Sequence, residues 1–212
     1  MQFDHTVVTI GREYGSGGRE IGKKLAEKMG VAFYDKEILM RAAKESGICE
    51  NLFEDYDEKA DSGYLFSIAG GLGLSPDSSV RGMPLRHKIF LAQFDAITKL
   101  AAEGACVIIG RCGDYVLENK NNVIHFFLYA DVGKRIQRIM QLEKLSYEQA
   151  KQLVRKTDKL RQNYYNFFAD GNWGKRQNYD VMLRTEGLSV DAAADLLLYY
   201  VKQKETEGAA RK

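Results

Sequence analysis

The chain has 212 residues, 45% hydrophobic and 28% charged, a balance that suits one sizeable globular domain with room for an insertion. A formal net charge of +2 excludes general attraction to nucleic-acid polymers, so any phosphate chemistry has to rest on local clusters of Arg and Lys. No apolar run reaches membrane-spanning length and the amino terminus lacks a basic segment followed by an apolar core, which predicts a soluble cytoplasmic protein.

The first element carries the most chemistry. Val7, Val8 and Ile10 form a short β-branched run, and the apolar positions then switch to helical spacing at Ile21, Leu25 and Met29. Between strand and helix lie Gly11, Gly15, Gly17 and Gly18. Glycine permits the positive-φ conformations that turn successive N–H groups inward, and the helix adds its partly positive amino terminus. The product is an anion cradle suited to phosphate. It departs from the G-x-x-x-x-G-K-[ST] pattern: Gly18 occupies the lysine position, and Arg19 and Glu20 follow where Ser or Thr is expected.

Val31 to Asp35 reads as a second strand ending in an acid, and Ile38 to Ser46 as a helix stopped at Gly47. From Cys49 to Pro84 the periodicity fades, which predicts an excursion from the core over 49–84. A helix resumes at Leu85 and ends at Gly104, followed by a buried strand, Ala105 to Gly110, in which Cys106 reads as a reduced core thiol. Val123 to Tyr129 is another strand, followed by a helix with Val132, Ile136 and Ile139 on one face. Ser146 caps a further helix with Tyr147, Ala150 and Val154 inward. The aromatic run Tyr164 to Phe168 reads as packing or as a base-stacking surface. Trp173, between Gly171 and Gly174, reads as mobile, with Lys175 and Arg176 beside it. His125 reads as structural. The last strand, Val181 to Thr185, leads through Ser189 into a closing helix.

Strands alternating with amphipathic helices predict an α/β fold, a parallel sheet covered by helices on both faces. Right-handed crossovers then gather the loops after Gly11, Asp35 and Gly110 along one edge.

With Asp35, Arg41, Arg111, Arg155 and Arg161 in this order, the sequence resembles the cytidylate kinase-like members of the nucleoside monophosphate kinases, from about Val7 to Val201. Asp35 and Arg41 keep the family's Asp-to-Arg spacing after the second strand. Gly110-Arg111 resembles the start of its Gly-Arg-Asp, with Cys112 in place of the Asp and Asp114 two positions on. The segment Arg155 to Arg161 resembles the lid that brings arginines over the transferring phosphoryl group. The resemblance implies a P-loop NTPase-type fold with an acceptor-binding insertion and a helical lid at 155–178, in one domain over 1–205 with a flexible tail at 206–212.

It also implies transfer of the ATP γ-phosphoryl group to CMP or a related nucleotide, with ATP and Mg2+ as cofactors and nucleotides as partners. ATP would lie on Arg12, Gly15, Ser16, Gly17, Gly18, Arg19 and Glu20, and the acceptor on Asp35, Arg41, Arg111 and Asp114. Catalytic charge would come from Arg19, Arg155 and Arg161, since Arg stays protonated and its planar fork matches phosphate oxygens. Arg19 or Arg12 would supply the charge missing at Gly18, with Arg19 preferred because it opens the helix. Glu20 is either a ligand to magnesium through water or a favourable acid in a first helical turn. Asp35 is a helix N-cap, an acceptor ligand or both, and Arg41, Arg155 and Arg161 are otherwise ordinary solvated helix residues. Two other readings keep the fold: a nucleotide-binding regulatory module, and a kinase for another small phosphorylated molecule.

Overall fold

The computed structural model describes residues 3, 5–49, 52, 83–169 and 171–210. Most of the expected 49–84 excursion, together with Asp170, lies outside the described residues. Five parallel strands, β1 (Val7–Arg12), β2 (Ala32–Tyr34), β3 (Cys106–Ile109), β4 (Val123–Tyr129) and β5 (Val181–Arg184), form one sheet in the order β2-β3-β1-β4-β5. The described helices are α1 (Gly18–Met29), α2 (Glu37–Ser46), α3 (Leu85–Glu103), the short α4 (Gly113–Val116), α5 (Val132–Glu143), α6 (Tyr147–Phe168) and α7 (Val190–Ala210).

Strand alternation sends side chains to two separate cores. Val8, Ile10, Val107, Ile109, Phe126 and Leu128 pack against Ile21 and Leu25 of α1 and Leu197 and Val201 of α7. On the opposite face, Val7, Cys106 and Ile108 meet Ile38 and Leu39 of α2 and Ile89 and Ile97 of α3. Both faces are thus covered, as the apolar strands predict. Burial pushes the Cys106 thiol up to about 12, so it is an inert core group. Thr9 Oγ1 lies 2.7 Å from His125 Nδ1, and burial holds this histidine below its ordinary pKa, in keeping with a structural role.

Four local features differ from expectation. Tyr147, expected inward, is exposed at the start of α6. α4 is too short to generate a periodic signal, and it follows a turn in which Gly110, Arg111 and Cys112 all have positive φ, at 68°, 53° and 53°. Residues 155–178 divide into the second half of the continuous helix α6, a loop, and a 3-10 turn at Arg176–Asn178. Residues 206–210, expected as flexible tail, continue α7, carrying on the helix from Lys202-Gln203-Lys204-Glu205, residue types that favour it.

Candidate active site

The site is set by strand register. Ile10 pairs with Ile109, and the Gly110 N–H donates to the Ile10 carbonyl at 3.0 Å, so Gly110-Arg111 leaves the sheet beside Gly11-Arg12, the last residues of β1, which still pair with β4. Tyr34 pairs with Ile108, which brings Asp35 out beside them. The chain runs from β1 to the edge strand β2 and returns through β3 before crossing to β4. The sheet's topological switch point is therefore at the carboxyl ends of β1 and β3, where open α/β folds bind ligands.

Asp35 is buried there between two cations. Arg111 Nη1 donates to its Oδ1 at 2.8 Å, and Arg19 Nε donates to its Oδ2 at 2.6 Å. The Asp35 and Arg111 side chains are 7% and 3% exposed, whereas Arg19 is 61% exposed. Burial pushes the Asp35 carboxyl up, but Arg111, Arg19 and Arg12 more than offset this and hold it below its ordinary value. Asp35 is not an N-cap: the cap position of α2 is Lys36, no side chain bonds there, and both Asp35 oxygens are committed to arginines. The left-handed turn at Arg111 and Cys112 is conformational strain at the point that delivers Arg111 to this group.

The glycine loop keeps its expected form. Gly15 and Gly17 have φ of 82° and 80°, and Ser16 is buried with its hydroxyl donating to the Glu13 carbonyl at 2.8 Å. Two neighbours hold this loop that periodicity alone does not reveal. Asp158 of α6 accepts from the Tyr14 N–H at 2.7 Å and pairs with Arg135, whose Nη1 also donates to the Tyr14 carbonyl at 3.1 Å. A Cβ on Gly15 would lie 2.9 Å from the Arg135 carbonyl, so α5 packs directly against the loop. The available signal was Arg135 itself, a charged residue four positions before the inward-facing Ile139.

Two cavities flank the loop. One, of about 200 Å³, is bounded by Gly15 to Gly17, by Lys134 and Arg138, and by Thr185 to Leu188. Glu20 pairs at 3.0 Å with Arg138, one of the residues lining it. The other, of about 20 Å³, lies at the switch point between Arg12, Arg111 and Arg161, with Asp114 in its wall and Tyr164, Trp173 and Tyr179 closing it. Trp173, expected to be mobile, packs edge-on against Phe127 at 5.4 Å between ring centroids. Arg161 Nη1 donates to the Arg12 carbonyl at 3.1 Å. Asp114 accepts from the Tyr165 hydroxyl at 2.8 Å, and burial pushes its carboxyl above its ordinary value.

Arg41 is not brought to this group. It is held by Glu45 at 2.7 Å and bidentately by Glu103 at 2.6 and 2.9 Å, near the opposite end of β3. Arg155, Lys175 and Arg176 are exposed. The aromatic run packs: Phe168 stacks on Phe90 at 4.1 Å, and Tyr164 donates to Gln93 at 2.8 Å.

Among the described residues no helix is long and apolar enough to cross a membrane, and no group of three or more His, Cys, Asp or Glu is arranged to hold a metal ion. The fold is shared with solved kinases. The chain is 17% identical to shikimate kinase from Acinetobacter baumannii in complex with shikimate, with a TM-score of 0.51 and 93% of each chain covered. It is 13% identical to a gluconokinase from Sinorhizobium meliloti, with a TM-score of 0.54, 100% of this chain covered and 99% of that one. An uncharacterized protein from Eubacterium ventriosum has a TM-score of 0.68 at 27% identity, over 93% of this chain and 98% of that one. A 92-residue stretch, 43% of the chain, is 28% identical to the uronate isomerase of Corynebacterium glutamicum, of whose length it spans only 18%. Over residues 7–187 the sequence matches the model of the cytidylate kinase-like family, and the chain belongs to that family.

Proposed function

We propose that the protein is an ATP-dependent phosphotransferase whose acceptor nucleophile is itself a phosphate oxygen, with CMP or a related nucleoside monophosphate as the acceptor. The observation that carries this reading is the state of Asp35. A hydroxyl acceptor needs a base to take its proton, and a carboxylate with both oxygens engaged by arginines and a lowered pKa is a poor one. A phosphate monoester is already ionised at neutral pH and needs cations instead, and Arg12, Arg111 and Arg161 line the cleft.

In this reading the loop N–H groups of Gly15 to Gly18, with Lys134 and Arg138, hold the ATP phosphates. Magnesium, when bound, neutralises charge on the phosphates; it takes few protein ligands beside phosphate oxygens and water, and Glu20 is the carboxylate at the loop that suits it. Asp35 fixes Arg19 and Arg111 in place, and Arg111 and Arg161 orient the acceptor phosphate and draw off charge as the bond exchanges. A cavity of about 20 Å³ holds little more than a water, so Trp173, Tyr164 and Tyr179 have to move for the acceptor to enter. Arg41, Arg155 and Arg176 have no assigned contact in this scheme.

A second reading has an alcohol acceptor, as the names of the shikimate kinase and gluconokinase imply for those proteins. It is favoured by Asp114, whose carboxyl lines the same cleft and is made more basic by burial. Incubation with MgATP and a panel of nucleoside monophosphates, shikimate and gluconate separates the two. ADP formation stimulated by CMP or another monophosphate supports the first reading. Stimulation only by a hydroxyl acid, lost in Asp114→Asn, establishes the second. MgATP binding without turnover on any acceptor would leave a regulatory module.

A further inference from the structure

Resting on the reading that the glycine loop holds ATP, we infer that Arg12 performs the task of the missing P-loop lysine, and that Gly18 is glycine because Arg12 lies across it. A Cβ built on Gly18 would stand 2.7 Å from Arg12 Cβ and 3.1 Å from Arg12 Cγ. Those distances are too short for any side chain at position 18 unless the arginine stem is displaced. The position where the P-loop pattern carries lysine is therefore filled from the neighbouring strand end by a side chain that crosses over it.

The charge is delivered to the right place. Arg12 is buried with 9% exposure, lines the switch-point cleft with Arg111 and Arg161, and is close enough to Asp35 to lower its pKa. The Arg12 side chain thus joins the loop to the switch-point cleft, at the boundary where a γ-phosphate would meet an acceptor. Arg19, the other candidate, is drawn to Asp35 and is mostly exposed. A loop lysine reaches the β- and γ-phosphates and leaves the nucleoside alone, so loss of Arg12 should be felt by ATP and not by adenosine, which carries no phosphate.

Calorimetric titration of the full chain with MgATP and with adenosine tests this. Arg12→Met keeps the apolar stem over Gly18 and removes the charge, and its thermal unfolding confirms that the fold is kept. One charge-assisted phosphate contact corresponds to about a ten- to hundredfold loss of MgATP affinity, with adenosine affinity expected to stay within about twofold. The exchange variant Arg12→Gly/Gly18→Lys, which clears the space and restores the lysine, is expected to recover most of that loss. A folded Arg12→Met that binds MgATP as the parent does, or an exchange variant no better than Arg12→Met, overturns the inference and leaves the ATP reading standing. A parent protein that binds no MgATP overturns both.

Discussion

Asp35 and Asp114 are two buried carboxyl groups with opposite electrostatics, and each makes a separate prediction. Breaking a buried ion pair from one side strands the other charge, so Asp35→Asn is expected to lower unfolding stability by about 3–5 kcal/mol in urea titration. A loss under about 1 kcal/mol would mean that Arg111 is not held as described. Because the folded pKa of Asp35 lies below its ordinary value, its contribution is fully present above that ordinary value and is lost as pH falls through the folded one. Asp114 has the reverse sign. Its folded pKa is raised, so the fold binds a proton that the unfolded chain releases, and stability falls as pH climbs from the ordinary carboxyl value through the folded one. Asp114→Asn keeps an acceptor for Tyr165 and removes the charge, so it is expected to be more stable than the parent at neutral pH. Equal or lower stability would place the ionised form of Asp114 in a better-solvated setting than its burial implies. Asp35 and Arg111 were legible as candidates from their positions after strands. Their bond was not, since it joins residues 76 apart that only the register of β2, β3 and β1 brings together.

At the scale of elements, α1 sits close on the sheet because Gly22 has no side chain. A Cβ there would come within 2.5 Å of Ile109 Cδ1 and 3.0 Å of Ile10 Cδ1. Gly22→Ala is therefore expected to cost about 1–3 kcal/mol in urea unfolding, as overpacking does in a tight core. A neutral effect would show that α1 can lift from the sheet. Helix α6 ties the glycine loop through Asp158, so Asp158→Ala should loosen the loop and weaken MgATP binding measured by calorimetry, by about fivefold or more if roughly 1 kcal/mol of positioning is lost. Unchanged affinity would make that tie purely structural. The capped start of α6 was legible: Ser146 accepts from the Gln149 N–H at 3.4 Å, and Gln149 Oε1 accepts from the Ser146 N–H at 3.0 Å. Its role as a strut was not, because half-buried Asp158 on a mostly polar helix looks like any solvated acid until the loop is laid beside it. The seat of Trp173 was hidden for a related reason. Neighbouring glycines suggest freedom, but Gly174, at φ 71°, lets the chain pass over the Phe127 ring and seat the indole.

Across the whole molecule, the parallel sheet and its two helical layers followed from strand composition and alternation, and the switch point follows from the strand order. What periodicity could not supply was depth: Arg41 and Arg111 look alike in sequence, but one is clamped by Glu45 and Glu103 near the far edge and the other is buried at the cleft. In the proposed function an ATP cradle meets a cationic acceptor cleft across Arg12, so phosphoryl transfer should need both sides at once. The most direct measurement follows labelled γ-phosphate from MgATP to CMP in the parent chain and in Arg161→Ala. Labelled CDP is expected from the parent, with a fall of about 10³ or more in Arg161→Ala with the fold intact, the scale of a lost transition-state arginine. Label that stays on ATP in the parent, or moves as fast without Arg161, would contradict the proposed function.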